Sequence, residues 1–389
     1  MKKLLLFIVF CLSLISLYSQ RRFDWKIKVD NELRDVIIVQ PSHPAPPGGY
    51  PVVFMLHGTS GDGEKFYNIS GWKELGEEEN FITVFPSSLS WCFVEDGIEK
   101  HNTKWVNGDL LDKPCSGKPQ NYIDDIHFLR QVAKLIQDSM SVNQKMIFAS
   151  GFSNGSAMIH KLAMDAGDLF AAVAGCSGIL MELDSTTPLN RIPTWSIVGS
   201  LDDRFLKPPY TELPFGGDSI LSYLNVTINR MLVCQGLTPT YSKSETSITK
   251  TYLFNESQPG STSKPYLFSL IKDMTHEYPN GLNYPISAAK IFWEFFKRSV
   301  ATGTEEIGTI KDQINIYPNP SDGILNIKAA NTKIERLDIY NSQGSKLLKV
   351  DQLKETYQMD LTQYPEGIYF IQVKTSYGNF TKKWIKTSH

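Results

Sequence analysis

Gly151-Phe152-Ser153-Asn154-Gly155 follows the apolar run Met146-Ile147-Phe148-Ala149 and precedes Ala157-Met158-Ile159-His160-Lys161-Leu162. The first flank has the short apolar form of a buried strand and the second reads as a helix, so the pentapeptide is a sharp strand-to-helix turn. Glycine two positions either side of Ser153 removes the Cβ atoms that would block so close an approach. A serine held there has its Oγ lifted off the strand end, often in a strained backbone conformation. The turn also aims the Asn154 N–H at the space beside Oγ, where an acyl oxyanion would form. In form this is a nucleophile elbow.

Gly-x-Ser-x-Gly is short enough to occur by chance, so the partners decide. The elbow fold orders its triad along the chain as serine, then acid, then histidine, which sorts the seven histidines. His43, His57, His101 and His127 precede Ser153, and His160 follows it with no strand between to bring an acid. His389 ends the chain in what reads as another domain, which leaves His276. The acid belongs at a later strand end, and Ile192-Pro193-Thr194-Trp195-Ser196-Ile197-Val198 followed by Gly199-Ser200-Leu201-Asp202-Asp203 has that form. Asp202 is the expected acid and Asp203 the near alternative, since one of two such aspartates ordinarily serves as a turn or helix cap. Asp165, Asp168 and Glu182 follow no comparable strand end.

A second strand end supplies the other half of an oxyanion site. Tyr50-Pro51-Val52-Val53-Phe54-Met55-Leu56 is continuously apolar, as a strand buried on both faces is, and runs into His57-Gly58-Thr59-Ser60-Gly61-Asp62-Gly63. The Thr59 N–H is expected to join that of Asn154 around the oxyanion, each donor being worth about 3 kcal/mol of barrier. His57 then shapes the loop and is not a base.

These motifs, with Tyr122-Ile123-Asp124-Asp125-Ile126-His127-Phe128-Leu129 and Thr275-His276-Glu277-Tyr278-Pro279, resemble a secreted esterase family over residues 24–298. It contains feruloyl esterases, acetylxylan esterases and polyhydroxybutyrate depolymerases. The resemblance implies an α/β-hydrolase fold, a mostly parallel sheet flanked by helices, with the triad on Ser153, Asp202 and His276. Departures touch no catalytic group: Ser156 stands where many members have a second glycine, Val198-Gly199 where His-Gly is usual, and Thr275-His276-Glu277-Tyr278 where Gly-His precedes Trp-Pro. Release of feruloyl or acetyl groups from plant polysaccharide is the leading expectation. Polyester depolymerisation is second, and a glycan-binding protein with a vestigial triad is a third.

The composition suits an exported enzyme. In 389 residues, 41% hydrophobic and 21% charged, there is room for about two domains. A net charge of −2 carries no nucleic-acid footprint. Met1-Lys2-Lys3 and the apolar run Leu4 to Leu17 have the layout of a signal peptide, residues 1–19, with Gln20 starting the mature chain. Cys11 follows Phe10, unlike a lipoprotein cleavage site. No other segment is long and apolar enough to be transmembrane.

Four of the five cysteines then remain, in a setting that favours disulfides. A Cys92–Cys115 bridge would staple an irregular stretch with little core of its own, whereas Cys176 and Cys234 could pair or stay thiols. No Cys-x-x-Cys or His-x-x-x-His spacing suggests a metal, and ester hydrolysis of this kind needs no cofactor. The stapled stretch is also the expected substrate collar, with Trp91, Trp105 and Tyr122 either offering aromatic faces to a feruloyl ring or a sugar, or packing the loop onto the core. Asp124-Asp125 reads as a helix N-terminal cap, and Glu77-Glu78-Glu79 as a solvated helix end.

After an enzyme domain spanning 22–300, residues 301–312 read as a polar linker. The rest turns to short alternating strands separated by Asn-Pro, Asp-Gly, Gln-Gly and Glu-Gly, the pattern of a small β-sandwich. Ile316-Tyr317-Pro318-Asn319-Pro320-Ser321-Asp322-Gly323, Ile339-Tyr340-Asn341-Ser342-Gln343-Gly344 and Leu361-Thr362-Gln363-Tyr364-Pro365-Glu366-Gly367-Ile368-Tyr369-Phe370 resemble the C-terminal sorting domain of the type IX secretion system. That implies, for residues 313–389, engagement of the type IX machinery, passage across the outer membrane and removal of the domain. A carbohydrate-binding sandwich is the alternative.

Overall fold

The computed structural model describes residues 19–117, 120–300, 314–329, 334–351, 356–375 and 378–387. The expected signal peptide, apart from Ser19, and the linker therefore lie outside the described residues.

Strands β1 (Arg21–Val29), β2 (Glu32–Gln40) and β3 (Tyr50–Leu56) come first, then helices α1 (Gly63–Ile69) and α2 (Trp72–Glu79) and strand β4 (Ile82–Pro86). The connection to α4 (Asp125–Ser139) carries a hairpin, β5 (Ser90–Glu95) with β6 (Ile98–Thr103), and the single turn α3 (Gly108–Leu111). Next come β7 (Val142–Phe152), α5 (Asn154–Asp165), β8 (Ala172–Cys176) and β9 (Thr194–Gly199). Helices α6 (Ser219–Tyr223) and α7 (Asn225–Gln235), strands β10 (Ser242–Glu245), β11 (Thr249–Phe254) and β12 (Tyr266–Ile271), and helix α8 (Ala288–Val300) complete the region.

Ten strands form one sheet in the order β1-β2-β4-β3-β7-β8-β9-β12-β11-β10. The run from β4 to β12 is parallel throughout, and antiparallel strands extend it at both edges. This is the α/β-hydrolase order, with the hairpin β5–β6 standing outside the sheet. Alternation along β3 shows why helices cover both faces. Val52, Phe54 and Leu56 face a core shared with α4, α5 and α7, while Val53 and Met55 face a second core shared with α1, α2 and α8. All seven residues of β3 are buried, as a central parallel strand requires.

Two expectations need correction here. Asp124 does cap α4, its carboxylate accepting from the Ile126 N–H, but Asp125 is buried and ion-paired with buried Arg34 at 2.6 Å. Glu77 and Glu79 are not merely solvated. Glu77 accepts from Ser42, and Glu79 accepts from the Trp293 indole and Lys297.

The C-terminal region is all-β. A three-stranded sheet of β13 (Ile314–Tyr317), β14 (Ile324–Ala329) and β17 (Thr356–Asp360) shares one core with a four-stranded sheet. The latter comprises β15 (Ile334–Asn341), β16 (Lys346–Asp351), β18 (Gly367–Thr375) and β19 (Gly378–Lys386). Its Tyr-Pro-Asn-Pro-Ser loop is tied to the final strand. Asn319 exchanges hydrogen bonds with the Lys383 carbonyl and the Ile385 N–H, and Ser321 accepts from the buried Trp384 indole.

Candidate active site

The turn after β7 places Ser153 at φ 53° and ψ −121°, a left-handed conformation that is strained for serine. Strain of this kind costs about 1–3 kcal/mol and persists only where the surroundings overdetermine it. Glycine makes the overdetermination possible. A Cβ on Gly155 would lie 2.3 Å from the Leu56 carbonyl oxygen, and one on Gly151 would lie 2.3 Å from that of Gly155. The start of α5 is thus pressed onto the end of β3.

Three strand ends deliver the three side chains expected to form a triad. Ser153 follows β7, Asp202 follows β9 through a tight turn, and His276 follows β12. The His276 Nε2 lies 2.9 Å from Ser153 Oγ, and its Nδ1 lies 2.8 Å from Asp202 Oδ1. The Asp202 side chain is fully buried, whereas that of His276 keeps 23% of its surface. Asp203 points to solvent, so Asp202 is the residue brought to the imidazole. An Nδ1–H donated to a buried carboxylate leaves the Nε2 lone pair facing the serine hydroxyl, the tautomer that can take its proton.

Of the two expected oxyanion donors, Asn154 follows this serine directly and Thr59 lies in the turn that packs against it. Asn154 opens α5, so its N–H belongs to the first turn, where backbone donors have no partner within the helix. The positive end of the helix dipole adds to the field there. On the other side the 57–59 turn presses against the elbow: a Cβ on Gly58 would lie 3.1 Å from Ser153 Cβ. Beneath it His57 is fully buried, with Nδ1 2.7 Å from the Gly58 carbonyl and Nε2 accepting the Ser88 N–H at 3.0 Å. Burial pulls its pKa down to about 4, so the ring is neutral at pH 7. His160 is likewise buried and pulled down to about 4, held by the Ser156 carbonyl and the Ser196 hydroxyl.

Cys92 and Cys115 form a disulfide, with Cα atoms 5.6 Å apart, while Cys176 and Cys234 are buried free thiols. The aromatic residues of the stapled stretch divide. Trp91 and Tyr122 are half-buried and meet edge-on at 5.2 Å, with the Gln120 amide donating to both the Cys92 carbonyl and the Tyr122 hydroxyl. Trp105 is fully buried. Its expected stacking on substrate is therefore corrected: the indole has no exposed face to offer.

A cavity of about 410 Å³ opens on the opposite side of the elbow, between α1 and the loop after β12. Thr59, Lys65, Phe66, Ile69, Phe152 and His276 are among its lining, and none of Trp91, Trp105 and Tyr122 contributes. Phe152, the variable residue inside the elbow motif, lies 5.2 Å from the His276 ring and 6.0 Å from those of Phe66 and Tyr278. Its place in the pentapeptide could have flagged it, but nothing local marks Lys65 or Ile69.

Among the described residues, metal-ligand atoms cluster twice. One group is Cys92, Glu99 and Cys115, whose sulfurs are joined to each other; the other is Asp202, Asp203 and His276, of which Asp202 and His276 are already bonded to each other. No helix of the described residues is long and apolar enough to cross a membrane.

Residues 315–387 match the family described as the secretion system C-terminal sorting domain. This module marks the chain for type IX secretion to the cell surface or extracellular space. Upstream, the chain is 28% identical over 163 residues to NocK of Nocardia uniformis subsp. tsuyamanensis, a protein that carries an esterase assignment in its name. That match covers 42% of this chain and 43% of NocK. It is 22% identical over 170 residues to the bifunctional acetylxylan esterase/xylanase XynS20E of Neocallimastix patriciarum, covering 44% of this chain and 22% of that protein. The chain thus spans less than half the length of these curated relatives. Among solved structures, an acetyl xylan esterase from Aspergillus awamori aligns with a TM-score of 0.48 and 16% identity, over 72% of this chain and 99% of that one.

Proposed function

We propose that this chain is an exported serine carboxylic-ester hydrolase that removes feruloyl or acetyl groups from plant polysaccharide. The observation that carries the reading is the continuous contact from Ser153 Oγ through the His276 imidazole to buried Asp202, at 2.9 and 2.8 Å. Neutral His276 takes the Ser153 proton as Oγ attacks the ester carbonyl, and Asp202 steadies the imidazolium that forms. The carbonyl oxygen, now an anion, turns to the N–H groups of Thr59 and Asn154. His276 then returns its proton to the leaving alcohol, and the acyl group stays on Ser153. A water activated by the same imidazole releases the acid and restores the hydroxyl. These steps use only side chains and backbone amides of this chain.

The leaving oxygen takes its proton from His276 Nε2, so the alcohol departs on the side of that ring. The cavity that includes His276 in its wall therefore receives the alcohol. Trp91 and Tyr122 form an outer aromatic rim for the polymer.

Purified protein assayed on p-nitrophenyl acetate, methyl ferulate, acetylxylan and polyhydroxybutyrate tests the reading. Release of acetate or ferulate is expected, with turnover in Ser153→Ala lower by about 10⁴-fold or more. A fluorophosphonate should label Ser153. Release of 3-hydroxybutyrate alone would make the chain a polyester depolymerase, and neither hydrolysis nor labelling would leave a binding protein.

A further inference from the structure

Trp105 has the form of a substrate platform in the sequence but is spent inside the protein, and its two N–H groups show on what. Its backbone N–H donates to the Asn154 Oδ1 at 2.7 Å, and its indole Nε1–H donates to the His57 carbonyl at 2.9 Å. Two residues on, the Asn107 side chain brackets the same asparagine. Its Nδ2–H donates to the Asn154 carbonyl at 3.0 Å, and its Oδ1 accepts from Asn154 Nδ2 at 3.2 Å. All four residues are buried. One short stretch thus grips the His57–Gly58 peptide, one peptide before the Thr59 N–H, and both polar ends of the Asn154 side chain.

We propose that residues 104–109 are a clamp that sets the two oxyanion donors relative to Ser153, with Trp105 and Asn107 as positioning residues. The proposal rests on the ester-hydrolase reading above. Oxyanion stabilisation works because donors are aimed before charge develops, and a misplacement of about 1 Å can cost about 100-fold in rate.

The clamp has its own foundation. The Val106 N–H donates to Asp125 Oδ2 at 2.7 Å, and Asp125 Oδ1 is held by Arg34 at 2.6 Å. Lys104 is buried and ion-paired with Asp109 at 2.9 Å, and Asp109 Oδ2 lies 3.4 Å from Asn154 Nδ2. The Cys92–Cys115 disulfide closes the loop that carries these residues. These contacts fix the Val106 backbone and the side chains around Asn154, and none reaches the Ser153 hydroxyl.

The full chain carrying Trp105→Phe or Asn107→Asp tests this. Trp105→Phe removes the indole donor but keeps an aromatic ring. Asn107→Asp keeps the acceptor for Asn154 Nδ2, loses the donor to the Asn154 carbonyl, and carries the test should Trp105→Phe not fold. For p-nitrophenyl acetate we expect kcat to fall between about 10- and 100-fold, with KM within about twofold and the acid limb of the pH profile unmoved. Affinity for phenylboronic acid, whose adduct on serine mimics the tetrahedral intermediate, should fall by the same factor as kcat. Parental kcat and boronate affinity in a folded variant, whatever its melting temperature, would overturn the clamp. A parent protein that neither hydrolyses esters nor takes up a fluorophosphonate would instead overturn the hydrolase reading.

Discussion

The elbow has two unlike walls. On one, residues 104–109 are buried except for half-buried Val106 and Asp109, and Arg34, Lys104, Asn107 and Asp125 are buried with them near Asn154. On the other, α1 and the loop after β12 stand apart around a cavity of about 410 Å³ with exposed Lys65 and Ile69 at its margin. Burying ionised groups is expensive unless each is paired and hydrogen-bonded, and a network left half-satisfied is worse than an apolar core. Such a construction is therefore expected only where fixed geometry matters. On the proposed hydrolase reading, the molecule is closely packed beside the expected oxyanion donors and open where the alcohol would leave.

The largest effect is expected at the carboxylate behind the imidazole that both walls leave in place. Asp202→Asn should lower turnover by about 10⁴-fold, because an amide orients the imidazole in the wrong tautomer, while Asp203→Asn should change kcat little. Steady-state kinetics of the pair checks this, and the reverse ranking would move the acid to Asp203 and break the assignment at its centre.

Acid should soften the buried side. His57 and His160 are each pulled by burial from 6.5 to about 4. Between those values the unfolded chain binds protons that the native chain refuses, so stability is full above about pH 6.5 and falls as pH drops toward 4. The difference is worth about 3 kcal/mol for each ring. Urea unfolding at pH 7 and pH 4.5 reads it, with His160→Gln flattening the dependence; equal stability at both values would contradict it.

The smallest effect belongs to the open wall. Ile69→Trp narrows the cavity and should raise KM several-fold for a polysaccharide ester while leaving kcat for p-nitrophenyl acetate nearly unchanged. A fall in kcat with KM constant would mean that this wall, too, positions the reacting groups.

The meeting of Ser153, His276 and Asp202 was legible because chemistry and chain order constrain them jointly: a strained serine turn, a carboxylate at a later strand end and one suitably placed histidine. Cys92 and Cys115 were legible because a loop without a core needs a staple. Trp105 was misread because an aromatic residue in an irregular stretch looks the same whether it faces solvent or the interior. Its burial depends on Asn154 and His57, 49 and 48 positions away. Asp125 was misread for a similar reason. A second aspartate at a helix start looks like a cap, and only the arrival of Arg34, 91 residues distant, turns it inward.

Local order in the polymer was enough to determine which segments become strand, elbow and helix, which three polar side chains meet at the strand ends, and where a β-rich export module follows. Those properties depend on periodicity, backbone permissiveness at glycine, and functional-group identity, all of which a linear string contains. Tertiary structure alone decided which polar side chains are withdrawn from water to hold Asn154, and on which side of Ser153 space is left. Both depend on where distant segments come to rest against one another, and the free energy of a buried charge is set by the partner that meets it there.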